Sequence, residues 1–467
     1  MTKIIFTTTL SIVLFGSLNA QMPPTSISEG IDALFQNHVN QSKDFVPGQV
    51  IRIEKRNEWV YEKASGVGSI VPSVVATSDM KFKIASITKL FTSAAIFKLI
   101  QAGTIDFNAP ISNYLPLAKI QGFDSYQNIT IKKLLSHTSG INEPQSDFQG
   151  RLNYWIYMKR FENIPIDSLI FWSYANPRGV GNYNYSNANF YLLAEIIQSV
   201  SGMSYQNYIT KNIISPLGLS NTNFNTIPNG LFMKGYLKGS FYPIGGVING
   251  GLAIDSLYNF TEASNSWGYG GADLWSNTID LIKFHKALFG GQLINERWLD
   301  TMKIVTTNTG DMGSYGHGMI QFKSYNNGPI YGFGHTGSAF GYGSMLCYIP
   351  GLDLYICSAG NYMKIGQEFL QRDIYNFLAN TKSNISDIEI ENSINIYPNP
   401  IILDFEIKTD AKKISYEIYN LQGKIVQKKE LSSSSEVQKI NELEKGIYII
   451  KITTDSEKTI FKKILKG

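Results

Sequence analysis

At 467 residues and 52.2 kDa the chain has room for roughly two to four domains of ordinary size. Hydrophobic residues make up 43% and charged residues 17%, which excludes a disordered chain and a highly charged coiled coil. The 41 Lys+Arg against 37 Asp+Glu leave no basic footprint for nucleic acid, and two Cys with five His exclude a disulfide-rich scaffold and argue against a Cys/His metal cluster.

The N-terminus reads as a secretory signal over residues 1–20. Lys3 is the positive flank, Ile4 to Phe15 is an apolar and Thr/Ser run too short to span a bilayer comfortably, and Leu18-Asn19-Ala20 precedes a cut expected before Gln21. No later segment is apolar for long enough to be a membrane helix. One large domain is expected over residues 21–380, a polar linker over 381–393 and a separate module over 394–467. That module holds 13 of the 41 basic and 10 of the 37 acidic residues, about twice the charge density of the rest.

Within the large domain, Lys81-Phe82-Lys83-Ile84 alternates as a strand does. Ala85 to Ala102 reads as a helix with apolar Ile87, Leu90, Phe91, Ala94, Ala95, Phe97 and Leu99, ended by Gly103. Ser86 and Lys89, three apart at the helix start, share one face. A serine hydroxyl is a weak nucleophile and needs a base. A lysine beside it in a poorly hydrated pocket loses affinity for its proton and can serve. The helix N-terminus adds N–H groups and positive potential suited to an oxyanion. The bland alternative for Ser86 is a helix N-cap. A second S-x-x-K, Ser78-Asp79-Met80-Lys81, opens no apolar helix and is read as chance.

Tyr185-Ser186-Asn187 comes next. Tyr126, Tyr174, Tyr205 and Tyr325 also start Y-x-N triplets, so context selects Tyr185: it follows the loop from Pro177 to Gly181 and precedes the apolar helix Phe190 to Ile197. A tyrosine can shuttle protons if a neighbouring ammonium lowers its pKa, and Asn187 can bond both a substrate amide and Lys89. His335-Thr336-Gly337-Ser338 begins an extended run through Tyr348. Gly337 allows the backbone close to a ligand, and the Ser338 N–H would complete an oxyanion hole with the Ser86 N–H. For His335 alone, a satisfied structural histidine is the alternative. Cys347 and Cys357 flank the turn Pro350-Gly351-Leu352-Asp353. They read either as a pair across a hairpin or as two free buried thiols.

The last 74 residues read as a small β-sandwich, with β-rich runs at 414–419, 424–426, 446–452 and 459–464 separated by turns.

The three elements, in this order, resemble the penicillin-recognising serine hydrolases: class C β-lactamases, serine D-Ala-D-Ala carboxypeptidases, and related esterases and D-aminopeptidases. The segment from Ile129 to Gly140, Gly103-Thr104-Ile105-Asp106 with Tyr114-Leu115-Pro116, Pro216-Leu217-Gly218-Leu219 and Gly270-Gly271-Ala272-Asp273-Leu274 also match. The resemblance spans about residues 30 to 380. It implies an α+β fold: a mixed antiparallel sheet flanked by helices, a helical lobe, and the active site between them. Ser86 is then the nucleophile, with Lys89 and Tyr185 sharing the proton transfers. Asn187 orients substrate, Thr336 binds its carboxylate or carbonyl, and His335, Gly337 and Ser338 complete the substrate strand. No cofactor and no metal are implied, and His137 is read as structural.

His335 stands where class C β-lactamases usually carry Lys. A histidine is mostly neutral at neutral pH, so carboxylate binding should be weaker and pH-dependent. The His form resembles D-Ala-D-Ala peptidases and D-amino-acid amidohydrolases. Gln145 falls where class C enzymes carry a substrate-contacting Gln, although its neighbours Glu143 and Pro144 differ.

The C-terminal module resembles the sorting domain of type IX secretion cargo through Tyr397-Pro398-Asn399-Pro400, Leu421-Gln422-Gly423, Gly446-Ile447-Tyr448 and Lys462-Lys463-Ile464. This implies the type IX machinery as partner and a cell-surface or extracellular location; an accessory binding sandwich is the alternative. The expected activity is a secreted serine hydrolase acting through a Ser86 acyl-enzyme on D-amino-acid peptides or amides. A β-lactamase or promiscuous carboxylesterase on the same machinery is the alternative. A catalytically silent penicillin-binding or adhesive surface protein is the alternative of another class.

Overall fold

The computed structural model describes residues 21–42, 46–144, 151–174, 179–238, 257–308, 313–325, 328–362, 366–383, 395–397, 404–408, 413–420, 424–431, 438–439, 443–454 and 459–466. The expected signal, Gln145, Pro398-Asn399-Pro400, Leu421-Gln422-Gly423 and the linker beyond Ser383 lie outside the described residues. The chain divides into two units, residues 1–374 and 375–467.

The strands of the first unit are β1 (Gly48–Lys55), β2 (Trp59–Ser69), β3 (Val74–Val75), β4 (Phe82–Lys83), β5 (Tyr236–Lys238), β6 (Leu257–Asn259), β7 (Trp275–Ser276), β8 (Thr307–Asn308), β9 (Gly313–Tyr315), β10 (Ile320–Lys323), β11 (Ile330–Ala339), β12 (Tyr342–Ile349) and β13 (Leu354–Gly360). Among the described residues nine of them form one antiparallel sheet in the order β3-β2-β1-β13-β12-β11-β10-β9-β8. Central β13 is buried along its whole length, Ser358 included, which is why its sequence is mostly apolar rather than alternating. The extended run expected from His335 is in fact a hairpin. Gly341 takes a positive φ of 86°, turning the chain from β11 into β12 and pairing Ser338 with Gly343. Cys347 stands opposite Ile356 and Cys357 opposite Leu346, so the two thiols point to opposite faces of the sheet; both are free and buried.

The helices are α1 (Thr25–Ser42), α2 (Thr88–Gln101), α3 (Leu117–Ile120), α4 (Ile131–Leu135), α5 (Arg151–Met158), α6 (Ile166–Trp172), α7 (Asn187–Ser201), α8 (Tyr205–Ile209), α9 (Thr278–Phe289), α10 (Glu296–Lys303) and α11 (Gln367–Ser383). α9 lies on β1 and β13, its start capped by the Asn277 side chain. α2 is buried nearly all round. It stacks Phe91 on Phe284 of α9 at 3.8 Å between ring centroids and packs its other side on α7 and α8. Each such buried ring is worth about 1.5–3 kcal/mol of burial. With α4 and α6 against α7, these helices form a lobe beside the sheet, and α2 is the seam between them. Among the described residues no helix is long and apolar enough to cross a membrane.

The second unit has β14 (Asn395–Tyr397), β15 (Asp404–Lys408), β16 (Ile414–Tyr419), β17 (Ile425–Leu431), β18 (Gln438–Lys439), β19 (Gly446–Thr454) and β20 (Thr459–Lys466). They form two sheets, β14-β15-β18 and β17-β16-β19-β20. Alternate residues Ile414, Tyr416 and Ile418 turn inward with Ile450 and Ile452 to meet Phe405 and Ile407. The result is an α+β hydrolase-like unit followed by a small β-sandwich, the arrangement the resemblances imply.

Candidate active site

The site begins where β4 ends. Pairing of Phe82 and Lys83 with Ser276 and Trp275 delivers the chain to Ala85, which takes a left-handed φ of 47°, a strained conformation for a residue with a Cβ. A single 3-10 turn, Ala85–Ile87, precedes α2, and Ser86 sits half-buried on it. The N-cap position of α2 is Ile87, with no side-chain cap, so Ser86 is not a capping serine. Lys89, in the first turn of α2, is fully buried. Its Nζ lies 3.0 Å from Ser86 Oγ, 2.6 Å from Asn187 Oδ1 and 3.1 Å from the Gly271 carbonyl. Burial pushes its pKa down to about 7, against the opposing pull of Glu143 and Asp273. The chance pair behaves differently: Ser78 turns to Glu62 and Lys81 to the Asn229 carbonyl.

Asn187 opens α7, whose N-cap is Ser186, accepting from the Ala188 N–H. This brings Tyr185 under Lys89, with Nζ 4.9 Å from the ring centroid, and its hydroxyl hydrogen-bonds the Ser86 side chain. Desolvation keeps the phenol protonated, raising its pKa, so the neighbouring ammonium does not bring it down as the sequence suggests. Tyr174, Tyr205 and Tyr325 turn instead to the Lys119 carbonyl, Thr92 and Asp373.

β11 packs its backbone onto the turn that carries Ser86. A Cβ on Gly337 would meet the Ile84 carbonyl oxygen and Ser344 Oγ, each at 2.3 Å, and Ser344 itself donates to the Ile84 carbonyl at 3.2 Å. The close approach that this glycine permits is therefore to the turn carrying Ser86. Thr336 is half-buried and Ser338 exposed.

His335 is 1% exposed and fully engaged. Its Nδ1 lies 2.6 Å from the Thr336 carbonyl, and its Nε2 lies 3.1 Å from the Tyr315 hydroxyl. Tyr315 also lies 3.2 Å from Nε2 of His137, whose Nδ1 accepts from the Ser186 N–H at 3.2 Å and faces Asn189 Nδ2 at 3.0 Å. Burial and the nearby Lys89 charge lower His335 to about 3 and His137 well below the usual histidine value.

Three contributors escape sequence reading. Glu143 accepts from the Asn187 backbone N–H at 2.5 Å and its Nδ2 at 3.2 Å, fixing which end of the amide faces Lys89. Asp273, buried, has its pKa pushed up to about 7, and it accepts from the Gly270 N–H just before the carbonyl that binds Lys89. Tyr315 is one of 27 tyrosines and has no motif around it that marks it out. Glu143 and Asp273 each lie in a segment that stands out for other residues. Among the described residues no group of His, Cys, Asp and Glu could hold a metal ion.

The sequence pattern of the beta-lactamase family matches residues 31–381, and that of a secretion system C-terminal sorting domain matches residues 395–466. The chain is similar to protein flp of Staphylococcus aureus (strain N315), 30% identical over 263 residues covering 54% of this chain and 48% of flp. The chain thus spans about half the length of these curated relatives. Among solved structures it is similar to a D-amino acid amidase from Ochrobactrum anthropi SV3, at 20% identity and a TM-score of 0.65 over 76% of this chain and 99% of that one. It is also similar to a class C beta lactamase from Rhodobacter sphaeroides, at 17% identity and a TM-score of 0.58 over 75% of this chain and 99% of that one. At such identities the structures speak for the fold, while the family pattern covers most of the sequence: the chain belongs to the beta-lactamase family, a serine hydrolase domain followed by a type IX secretion C-terminal sorting domain.

Proposed function

We propose that the protein is exported and hydrolyses D-amino-acid peptides or amides through an acyl-enzyme on Ser86. The observation that carries this is the buried Lys89 Nζ, 3.0 Å from Ser86 Oγ with its pKa near 7. A neutral Lys89 keeps two N–H bonds for Asn187 Oδ1 and the Gly271 carbonyl and turns its lone pair to the Ser86 hydroxyl. It takes the Ser86 proton as Oγ attacks the acyl carbon. The Ser86 and Ser338 N–H groups hold the oxyanion, and Thr336 holds the carbonyl or carboxylate. The Tyr185 hydroxyl, kept protonated and bonded to Ser86, gives its own proton to the leaving nitrogen and takes one back from the Lys89 ammonium, so that phenol and amine both return to their starting states. Water then enters, gives up a proton by the same route and releases the acid. The second N–H of Asn187 Nδ2 orients the substrate amide.

The D-amino acid amidase among the structural neighbours supports this substrate class. The class C beta lactamase among them keeps β-lactam hydrolysis as the second reading, with esters as a third group of substrates. Export rests on the sorting domain and on residues 1–20 read as a signal, with the domain at 21–380 delivered outside the cell. A carboxypeptidase that maintains its own cell wall belongs in the periplasm; a surface or released enzyme meets external peptides, muropeptides, esters or antibiotics. Turnover of a D-Ala-D-Ala peptide, a D-amino-acid amide, nitrocefin and p-nitrophenyl acetate ranks the readings. The proposal expects the D-configured substrates to lead; nitrocefin leading by a wide margin would transfer the assignment to a β-lactamase. Mature protein found only in the periplasmic fraction would overturn the export reading.

A further inference from the structure

The proton positions around His335 follow from hydrogen-bond direction alone. The Thr336 carbonyl can only accept, so His335 Nδ1 carries a hydrogen; the Ser186 N–H can only donate, so His137 Nδ1 carries none. A neutral His137 therefore holds its hydrogen on Nε2 and donates to the Tyr315 oxygen, and Tyr315 donates onward to the bare Nε2 of His335. The chain extends backward too: Ser139 Oγ donates to Asn189 Oδ1 at 2.5 Å, and Asn189 Nδ2 donates to His137 Nδ1. Every link points one way, from the helical lobe into β11. Protonating His335 would set its Nε2–H against the Tyr315 hydroxyl and strip that buried O–H of its acceptor.

We propose that Tyr315 is a positioning residue that locks His335 in its uncharged form, so that the site selects substrates neutral at their leaving end, amides and esters of D-amino acids, over those with a free carboxylate. This rests on the reading of Ser86 as nucleophile. The groups facing His335 agree with it. β9 contributes Tyr315, the turn after α4 His137, and the segment before α7 Tyr185, whose ring lies 6.3 Å away. α2 contributes Lys89, whose charge opposes a second cation, while β12 presents Leu346 opposite His335 and β10 presents Ile320 opposite Gly334. The lowered pKa of His335 points the same way.

Two readouts test the lock on the full chain. With 15N-labelled histidine, the five His give a readable spectrum; His335 should be protonated at Nδ1 alone and His137 at Nε2 alone, unchanged between about pH 8 and 5. Titration of His335 in that range, or a hydrogen on its Nε2, overturns the proposal whether or not a variant folds. The second readout compares an acyl-D-Ala-D-Ala peptide with its C-terminal carboxamide, because the titration of Lys89 cancels in their kcat/KM ratio. In wild type the ratio should favour the carboxamide and stay flat with pH. In Tyr315→Phe it should fall by about tenfold toward acid pH, as a charge-assisted hydrogen bond to the carboxylate becomes available. A wild-type preference for the free acid that grows at low pH, or a flat ratio in Tyr315→Phe, overturns it. If neither peptide turns over while a fluorophosphonate still labels Ser86, the substrate inference fails and the nucleophile stands; if Ser86 is not labelled, the underlying reading fails.

Discussion

Glu143 offers a quantitative handle on the base. Its carboxylate holds both the N–H and the side-chain amide of Asn187, and through that amide it faces the Lys89 ammonium. Glu143→Gln keeps the shape and removes the charge. Two unit charges roughly 6 Å apart, at an effective dielectric of about 20, interact by about 3 kcal/mol, or about two pKa units. Glu143 is half-buried, so water screens part of this and a shift of about one unit is expected. The sign follows from the charge. A carboxylate stabilises the ammonium, so its loss lowers the Lys89 pKa from about 7, leaving the base neutral further into acid. The rate of fluorophosphonate labelling at Ser86 against pH reads this without knowledge of the natural substrate. The acid limb should move down, while the alkaline plateau falls because Gln offers only one oxygen for two donors. An acid limb that stays put, or moves up, would mean that Glu143 does not act on the base.

Gly337→Ala should slow that labelling by about a hundredfold with the far-UV spectrum unchanged, because a Cβ 2.3 Å from the Ile84 carbonyl oxygen pushes β11 off the turn that carries Ser86; near-normal labelling would refute the packing argument. His285 is buried with both ring nitrogens unpartnered among the described residues, so His285→Phe should raise stability by about 1–2 kcal/mol in urea unfolding at neutral pH, and a loss of similar size would refute it. Acid should destabilise the fold in a predictable window. His137, His285 and His335 are held neutral, the latter two down to about 3, so the unfolded chain binds their protons first: this stability is full above the unfolded value and lost as pH falls from there toward 3. Asp273, held protonated up to about 7, releases one proton on unfolding, while His317, lowered to about 4, takes one up. Near pH 5 the histidines held low outnumber the one carboxyl held high, so unfolding takes up protons on balance and stability falls with pH; a flat stability profile from pH 6.5 to 5 would contradict it.

Ser86 and Lys89 were legible because they are three residues apart where a 3-10 turn runs directly into α2, and that local winding brings their side chains together whatever the rest of the chain does. The strands of the C-terminal sandwich were legible for a similar reason, since alternation along Ile414–Tyr419 needs no distant partner. Tyr185 and Asn187 emerged only through their place before an apolar helix. The character of His335 was not legible. Its charge state depends on Tyr315 two strands away and on His137 in the other lobe, positions set by the pairing of β9 with β10 and β10 with β11. Gly337 showed that a close approach was needed but not to what, because its partner, the Ile84 carbonyl, lies some 250 residues earlier in sequence. The hairpin turn at Gly341 was hidden because Gly337, Gly341 and Gly343 fall close together and nothing local says which of them turns the chain.

The claim at the centre is that Ser86 is acylated with Lys89 as its base, and mass mapping of the full-length protein after reaction with a fluorophosphonate or a labelled penicillin tests it most directly. A single adduct on Ser86, absent from Ser86→Ala and slowed by several orders of magnitude in Lys89→Ala, is the expected result. No adduct while a control hydrolase labels, an adduct on another serine, or a near-normal rate in Lys89→Ala would contradict it.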